Sequence, residues 1–335
     1  MGIVSTIPEK CRRCYTCMRE CPAKAIKVEG GQATVIVERC IACGNCVKVC
    51  AQQAKLIEDS TECVRRLLAG EETVVACLAP SFPAAFDRVT PGQVIASARA
   101  LGFHEVWDVA FGAEMVSREY VRLFERSRRD GLRVIATPCP ALVAYVEKYM
   151  PALHDALAPV VSPMIAVARA VRQRHGANAR VVFIGPCIAK KNEIRDPAVA
   201  GAVDAVLTFR EFEQLLSDAG ILPPALAEAD FDGPHCMIGG AFPIPGGLLR
   251  TAGISADILE NNVVVTEGKD RVLDALREEA DGRPQGRFFD VLFCEGCVSG
   301  PRMLNDLSVI ARKKIVADYV RERARREKPV DFWRS

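Results

Sequence analysis

No uninterrupted apolar run in this 335-residue sequence is long enough to span a bilayer. The first residues, MGIVSTIPEKCRRC, also lack the basic and apolar regions of a secretory signal peptide. Neither sign of charge dominates, because 44 Lys and Arg residues stand against 42 Asp and Glu residues and the net charge is +2. We therefore expect a cytoplasmic protein with no membrane span and no nucleic-acid partner.

Four motifs of common enzyme classes are absent as well. The sequence contains no GxxxxGKS or GxxxxGKT phosphate loop, no GxGxxG after a predicted strand, no HExxH and no GxSxG. Nucleotide hydrolysis, simple dinucleotide binding, zincin chemistry and serine esterase chemistry are therefore not first choices. Disorder is excluded too, because half of the residues are apolar and 26% are charged, which is a globular composition.

Cysteine, by contrast, is abundant, with fifteen residues in the chain. Disulfides are rare in cytoplasmic proteins, where clustered cysteines usually bind metal or carry out redox chemistry. Two runs near the N-terminus share the spacing C-x2-C-x2-C-x3-C and lie 29 residues apart. The runs consist of Cys11, Cys14, Cys17 and Cys21, and of Cys40, Cys43, Cys46 and Cys50.

This spacing is typical of proteins with two 4Fe-4S clusters, in which the fourth cysteine of each run ligates the other cluster. The predicted ligands are Cys11, Cys14, Cys17 and Cys50 for cluster 1, and Cys40, Cys43, Cys46 and Cys21 for cluster 2. Residues 25–38 between the runs read as strand, Gly-Gly turn and strand, the hairpin of a small two-cluster ferredoxin. A pair of zinc knuckles is the alternative, although a third internal cysteine and a three-residue step fit zinc poorly.

From about residue 72, apolar strands alternate with periodic helical segments. This alternation predicts an α/β domain of mainly parallel sheets with helices packed on their faces. Strands are predicted at 73–80, 104–111, 132–140, 179–187, 202–209, 261–268 and 288–297. Helices are predicted at 91–102, 113–131, 163–176 and 269–282, each ending in glycine.

Four further cysteines stand at the carboxyl ends of three of these strands, where ligands collect in parallel sheets. They are Cys139, Cys187, Cys294 and Cys297, and each group lies beside a Gly or Pro that lets the chain turn away. Together they would supply the four thiolates of a third 4Fe-4S cluster, cluster 3. Taken singly, Cys139 and Cys187 also fit the description of small buried hydrophobic residues.

The segments around these cysteines resemble the catalytic domain of iron-iron hydrogenases over about residues 72–312. The three cysteine signatures of that family are similar to TPCPALVAYVEKYMP, GPCIAKKNE and CEGCVSGP, in the same order. The resemblance implies a two-lobed α/β domain whose four cysteines bind the cubane half of the hydrogenase active cluster. It also implies that Lys190 matches the lysine that hydrogen-bonds a cyanide ligand of the diiron half, and that Glu193 matches the glutamate after it.

Several positions depart from the family pattern, and all of them concern the diiron half. Pro138 stands where the family has its proton-transfer cysteine, and Met164 where it has a pocket glutamine. Gly185 and Leu292 stand where the family has two pocket methionines. The two cysteines of the third signature are separated by two residues, where the family has three. We therefore expect a hydrogenase-like protein that keeps the cubane, holds no diiron subcluster and does not turn over hydrogen.

The motifs and the resemblance predict four segments. These are a two-cluster ferredoxin module at 1–60, a linker helix at 61–71, the hydrogenase-like domain at 72–312 and a basic C-terminal helix at 313–335. The predicted function is electron transfer or redox sensing in an anaerobic metabolism, with single electrons relayed through the ferredoxin clusters to cluster 3. The output would be a redox partner protein or a downstream signalling module.

Two other functions remain open at this point. One is an enzyme that handles hydrogen or another small molecule at the third cluster. The other is a cluster scaffold or assembly factor that resembles the eukaryotic hydrogenase-like proteins of cytosolic iron-sulfur maturation. No catalytic residue is assigned, and the candidates are Lys190, Glu193 and Cys236, the last of which lies in a Gly- and Pro-rich loop beside His235.

The remaining features have simpler interpretations. Cys77 is predicted to lie in the core and Cys63 on the linker helix. Lys191, like Lys190, is expected to raise the reduction potential of cluster 3. The C-terminal segment carries eight basic against three acidic residues from 311 to 330, which predicts a solvated helix, with partner docking as the alternative.

Overall fold

The computed structural model describes residues 2–257, 259, 262–283 and 286–326. An N-terminal part with two antiparallel strand pairs is followed by two separate parallel sheets. The predicted α/β architecture with parallel sheets is therefore confirmed for the larger part of the chain. Among the described helices, none combines the length and the apolar character that crossing a bilayer requires.

The first sixty residues form four short strands and two single-turn helices. The elements are β1 (Val4–Thr6), α1 (Thr16–Arg19), β2 (Ile26–Glu29), β3 (Gln32–Val35), α2 (Asn45–Lys48) and β4 (Lys55–Ile57). Strand β1 pairs with β4, and β2 pairs with β3, both antiparallel. Gly30 and Gly31 connect β2 to β3 with φ of 54° and 76°, and a two-residue turn of type I′ requires such positive values at both positions.

The 29-residue repeat of the sequence is also a repeat of the backbone. Helices α1 and α2 begin 29 residues apart, and each follows a short 3-10 turn at the same offset. Left-handed conformations recur in pairs at Arg13 and Ala42, at Tyr15 and Gly44, and at Lys24 and Gln53. Unlike side chains adopt the same uncommon conformation at these positions. The backbone conformation there is therefore determined by the spacing of the cysteines and not by the individual side chains.

A four-stranded parallel sheet has the strand order β6-β5-β8-β9. Its strands are β5 (Val74–Leu78), β6 (Glu105–Asp108), β8 (Arg180–Gly185) and β9 (Ala205–Thr208). Every residue of the central strand β5 is buried, as expected for a parallel sheet covered on both faces. Helices in contact with this sheet include α3 (Thr61–Leu68), α5 (Pro91–Ala100), α8 (Pro163–His175) and α10 (Phe209–Asp218).

A three-stranded parallel sheet has the order β10-β11-β7. Its strands are β7 (Val134–Ile135), β10 (Val263–Glu267) and β11 (Phe288–Leu292). Further helices are α4 (Phe82–Ala85), α6 (Val109–Asp130), α7 (Pro140–Tyr149), α9 (Ala189–Glu193), α11 (Gly247–Ala252) and α12 (Lys269–Ala280). The long helix α6 packs mainly against α8, which covers the four-stranded sheet, and also contacts β7 of the three-stranded sheet.

Four predicted strands are half their expected length or less in the structure, those expected at 104–111, 132–140, 202–209 and 288–297. The last of them ends at Leu292, so Cys294 and Cys297 lie beyond the strand. The strand expected at 104–111 ends at Asp108, because the Asp108 carboxylate accepts a backbone hydrogen bond at 2.8 Å and caps the start of α6. The strand expected at 132–140 contributes only two residues to the sheet, as β7. Pro138 and Pro140 have no amide hydrogen with which to extend its ladder.

The last described helix, α13 (Val309–Arg326), is not the solvated helix that we expected from its charge. It begins at Val309 rather than at residue 313, and Val316 on its inner side is fully buried. Tyr319 packs edge-on against Phe82 at a ring distance of 5.5 Å. A count of charged residues does not show that the apolar residues of the segment lie on one side of the helix. Residues 327–335 of the expected helix lie outside the described residues.

Candidate metal centres

The first group of cysteines, site 1, consists of Cys11, Cys14, Cys17 and Cys50. Burial raises the pKa of Cys17, and the nearby Cys50, Cys11 and Cys14 raise it further. The four residues line one small cavity. Cys17 is carried by α1, whereas Cys50 belongs to the other run and follows α2. Site 1 is the set of residues that the spacing predicts for cluster 1.

The second group, site 2, consists of Cys40, Cys43, Cys46 and Cys21. Burial raises the pKa of Cys46 to about 12, and the neighbouring Cys40 and Cys21 add to the rise. Cys43 interacts in the same way with Cys46 and Cys21. The two runs thus exchange their fourth cysteine in space. Site 2 is the set predicted for cluster 2.

Backbone amides point at several of these sulfur atoms. Ala25 N donates to Cys21 Sγ at 3.3 Å, and the equivalent Ala54 N of the second run donates to Cys50 Sγ at the same distance. Ala42 N donates to Cys40 Sγ at 3.4 Å. Amide donors favour the thiolate form and help to set the potential of a bound cluster. The sulfur environment therefore suits anionic, metal-bound cysteine.

Lys55 interacts with both N-terminal sites, and our sequence analysis missed it. The residue is only 6% exposed, and its Nζ donates to Thr6 Oγ1 at 2.6 Å and to Ala33 O at 3.0 Å. Its positive charge offsets part of the pKa rise that burial causes at Cys17 in site 1 and at Cys46 in site 2. A lysine that begins a short strand normally reads as a solvent-facing residue, so only its closeness to Cys50 in sequence was a signal.

The third group, site 3, consists of Cys139, Cys187, Cys294 and Cys297. Burial raises the pKa of Cys187 to about 11 and that of Cys294 to about 12, and the nearby cysteines add to both shifts. Cys297 interacts with the other three cysteines. Four thiolates this close together repel one another unless positive charge compensates them, and the irons of a cluster supply that charge. The donor set therefore fits a 4Fe-4S cluster.

The chain reaches site 3 from both parallel sheets. Cys187 follows β8 of the four-stranded sheet, and the two cysteines of the CEGC segment follow β11 of the three-stranded sheet. Cys139 directly precedes α7, a few residues after β7. Gly296 turns the CEGC segment at φ 73°, and a Cβ atom there would lie 2.7 Å from Pro243 O, so only glycine fits.

A narrow cavity of about 90 Å³ adjoins site 3. Three of its cysteines, Cys139, Cys187 and Cys297, form part of the wall. Apart from these cysteines, the polar side chains among its described lining residues are Ser81 and Lys190. The Ser81 hydroxyl is fully buried and has no hydrogen-bond partner within the part of the chain that the structure describes. The rest of the wall is apolar and includes Pro138, Met164 and Leu292, which are positions that depart from the hydrogenase pattern.

Lys190 lies at this cavity and is held by Glu193. Lys190 Nζ donates to Glu193 Oε2 at 2.7 Å and to Pro138 O at 3.4 Å. Its charge also opposes the pKa rise at Cys187 and at Cys297. Glu193 also lines a second, larger cavity of about 400 Å³.

Lys191, which we expected to act on cluster 3, and the candidate Cys236 with its neighbour His235 do not line the cavity at site 3. Lys191 Nζ donates to Glu211 Oε1 at 2.8 Å, because consecutive helical residues point in different directions and only Lys190 faces the cysteines. Cys236 is buried with its Sγ 3.4 Å from Asp108 Oδ2 and does not line the cavity. His235 is exposed at the surface.

The two other cysteines are found where the sequence suggested. Cys77 is fully buried in β5, and Cys63 lies on α3. Among the described residues, no three His, Cys, Asp or Glu side chains lie close enough to hold a single metal ion. The thiolates of a cubane bind different irons, so they lie further apart than the ligands of one zinc ion.

Comparison with known proteins identifies the family. Residues 72–301 match the family model of the iron only hydrogenase large subunit, C-terminal domain. The chain belongs to the iron-only hydrogenase family. Residues 3–51 match a 4Fe-4S dicluster domain, which supports iron-sulfur clusters rather than zinc in the N-terminal part. The protein is therefore a hydrogenase-like iron-sulfur protein.

The hydrogenase-like protein spans only 50–66% of the length of three curated relatives that it matches. Iron hydrogenase 1 of Clostridium pasteurianum is 26% identical over 289 residues, 70% of this chain and 50% of that protein. The periplasmic Fe hydrogenase large subunit of Nitratidesulfovibrio vulgaris is 31% identical over 274 residues, with shares of 72% and 65%. The cytosolic Fe-S cluster assembly factor NAR1 of Encephalitozoon cuniculi is 24% identical over 256 residues, with shares of 66% and 66%.

The fold of the hydrogenase-like protein is also found in solved structures. A variant of the FeFe-hydrogenase HydA1 from Chlamydomonas reinhardtii superimposes with a TM-score of 0.65 at 19% identity. The superposition covers 78% of this chain and 88% of that one. At this level of identity, the similarity concerns the fold alone.

Proposed function

We propose that this protein is an electron-transfer or redox-sensing protein with three 4Fe-4S clusters and no diiron subcluster. Sites 1, 2 and 3 would hold clusters 1, 2 and 3, each of which supplies one-electron redox chemistry when bound. The observation that carries the proposal is the gathering of twelve of the fifteen cysteines into three sets of four. Residues 1–60 would form a ferredoxin-like module, and the two parallel sheets would form two lobes on either side of site 3.

The spatial order of the sites supports a relay. Cys46 of site 2 interacts with Cys17 of site 1, and Cys43 of site 2 interacts with Cys294 of site 3. Cys43 and Cys294 also line a common cavity of about 270 Å³. Cys14 of site 1 is solvent-exposed. Site 2 thus lies between an exposed site and an enclosed one.

Direct hydrogen bonds fix site 2 against the hydrogenase-like domain. Lys48 Nζ donates to Ser299 O at 3.1 Å, two residues after Cys297. From α7, Lys148 Nζ donates to Cys40 O at 2.8 Å and Tyr149 Oη donates to Arg39 O at 2.6 Å. These contacts hold the two sites at a constant separation, which electron transfer between them requires.

The walls of the cavity at site 3 support the absence of a diiron subcluster. Pro138 has no side-chain group that can donate or accept a proton, and Leu292 and Met164 are weak or absent hydrogen-bond partners. The Lys190 ammonium is already engaged by Glu193. Within this chain, the role that follows for Lys190 is electrostatic: its positive charge favours the reduced state of site 3.

A contact of α13 supports a sensing role. Arg312 near the start of this helix donates to Val298 O at 3.4 Å, directly after Cys297. A change in the CEGC segment would therefore reach the helix that leads to the C-terminal end of the described chain. A downstream signalling module or a redox partner would receive this change through α13.

The relay is tested by removing its middle site. Cys43→Ala should lower the iron content of the chain from about twelve to about eight and slow the reduction of cluster 3 by dithionite about tenfold or more. Freeze-quench EPR of the anaerobic protein measures the rate. Cys63→Ala is the matched control, because Cys63 belongs to none of the three sites, and it should keep both iron content and rate. Unchanged reduction of cluster 3 in a Cys43→Ala protein that has lost four irons would contradict the relay.

Similarity to NAR1 makes cluster assembly the second candidate function. A scaffold would transfer iron and sulfide to an apo-ferredoxin during anaerobic incubation, whereas a relay protein should keep its clusters. Hydrogen chemistry at site 3 would instead give infrared bands of iron-bound carbon monoxide and cyanide after maturation.

A further inference from the structure

We propose that the surface around Cys14 is the docking surface for a small acidic electron-carrier protein. We call this surface the arginine edge and define it as Arg12, Arg13, Cys14 and Arg19. The inference rests on the proposed function and adds the chemistry of the partner. In the reaction, one electron passes from the reduced carrier to oxidised cluster 1 in site 1. No proton moves, and no covalent bond forms or breaks.

The internal repeat provides the main argument, because it shows the same structural position in two environments. The residues 29 positions after Arg12 and Arg13 are Ile41 and Ala42, which are 2% and 3% exposed. Arg12 and Arg13 are exposed to solvent. The backbone is the same in both copies, including the left-handed conformation at Arg13 and Ala42. The two copies therefore differ in what their surfaces contact and not in how they fold.

The second copy is the one that docks inside the protein. A Cβ atom on Gly44 would lie 2.5 Å from Pro301 and 3.1 Å from Ile188, so the hydrogenase-like domain packs directly against this backbone. Small and apolar residues at positions 41–44 suit such a permanent, desolvated contact. The equivalent stretch of the first copy is charged, which suits a partner that binds and leaves.

The arginine edge carries the positive charge of three arginine side chains. Among the described residues, no carboxylate forms an ion pair with Arg12, Arg13 or Arg19. Arg19 is held beside Cys14 by hydrogen bonds to Cys14 O at 3.1 Å and to Thr16 Oγ1 at 3.3 Å. The acidic Glu20 next to it points to Lys269, with which it pairs at 3.4 Å.

The exposed cysteine makes this edge the place where a partner can approach site 1. Cys14 is the one exposed cysteine among the fifteen, all of which lie in described residues. Three arginines beside it attract a partner of opposite charge and raise the rate of productive encounters. Residues 1–60 as a whole carry nine basic against six acidic residues, so the rest of the module does not reverse this field.

The test uses the full anaerobic chain with its clusters loaded and a reduced acidic two-iron ferredoxin as the probe. Stopped-flow spectroscopy gives the second-order rate constant of cluster reduction. For Arg12→Glu/Arg13→Glu, we expect a fall of about tenfold or more at low ionic strength. The wild-type rate should also fall as salt is added, because screening weakens the attraction. Arg12→Gln/Arg13→Gln should give a smaller loss in the same direction.

The matched control is Arg126→Glu/Arg128→Glu, which changes the net charge equally on the exposed side of α6. Its rate should stay within about twofold of wild type, since the distant charge is largely screened. The final extent of cluster reduction by excess dithionite should be equal in all variants, because the cluster ligands are unchanged. If wild-type clusters are missing or dithionite does not reduce them, the proposed function fails and not the docking surface.

Three results would overturn the docking proposal while leaving the clusters in place. The first is a charge-reversed variant that reacts with the acidic ferredoxin as fast as the α6 control. The second is a wild-type rate that does not change with salt. The third is faster reaction with a basic electron carrier of similar potential than with the acidic one.

Discussion

Replacing Cys187 by alanine is expected to remove about four of about twelve irons per chain, the whole of cluster 3. Cys187 follows β8 directly after Pro186 and is the cysteine that the four-stranded sheet contributes to site 3. The other three cysteines of the site follow strands of the three-stranded sheet. The variant therefore retains no ligand from the four-stranded sheet. Iron and sulfide analysis of the anaerobically purified variant measures the loss.

The N-terminal sites provide an internal reference for the Cys187→Ala variant. Clusters 1 and 2 should keep their EPR signals, because the residues that act most strongly on Cys187 are Cys139, Lys190 and Ala189, none of which belongs to an N-terminal site. Cys77→Ala is the matched control: this cysteine is fully buried in β5, and its loss should leave about twelve irons. A Cys187→Ala protein that still binds about twelve irons would refute the assignment of site 3.

Replacing Asp108 by alanine is expected to cause a large loss of stability, of about 3–5 kcal/mol. The Asp108 side chain is 2% exposed, and its Oδ2 accepts a hydrogen bond from Arg323 Nη1 of α13 at 2.6 Å. Burial raises the pKa of Asp108, and the Arg323 charge offsets part of that rise. Without this carboxylate, the Arg323 guanidinium, whose side chain is only 12% exposed, loses a buried ion-pair partner. The cap at the start of α6 is lost at the same time.

Thermal unfolding followed by circular dichroism measures this effect. A loss of this size should lower the unfolding midpoint by about 6–12 °C. Asp318→Ala is the matched control on the same helix α13, because Asp318 forms an exposed ion pair with Lys314 and should cost no more than about 1 kcal/mol. Equal midpoints for the Asp108→Ala and Asp318→Ala variants would show that the buried pair does not hold α13.

The sequence predicted those parts of the structure that depend on local spacing. The three-dimensional exchange of Cys21 and Cys50 follows from the spacing of each run alone, because a cubane needs three close thiolates and one distant one. The Gly30-Gly31 hairpin follows from the requirement for positive φ at both turn positions. The approach of Cys139 and Cys187 follows from the rule that ligands collect at the carboxyl ends of parallel strands.

Features that depend on contacts between distant segments were not predictable in this way. Nothing around Lys55 indicates that its ammonium turns inward to Thr6 and Ala33. The direction of Lys191 depends on Glu211, twenty residues later in the sequence. The packing of α13 depends on Asp108 at the end of a strand 215 residues earlier than Arg323. Such partners belong to the tertiary structure and leave no periodic signal in the chain.

Iron and sulfide analysis combined with infrared spectroscopy of the native protein tests the central claim most directly. The protein must be purified without oxygen and with its maturation complete. Our account predicts about twelve irons and about twelve sulfides per chain, with no bands of iron-bound carbon monoxide or cyanide. About eight irons would contradict the third cluster, and the infrared bands would contradict the absence of a diiron subcluster.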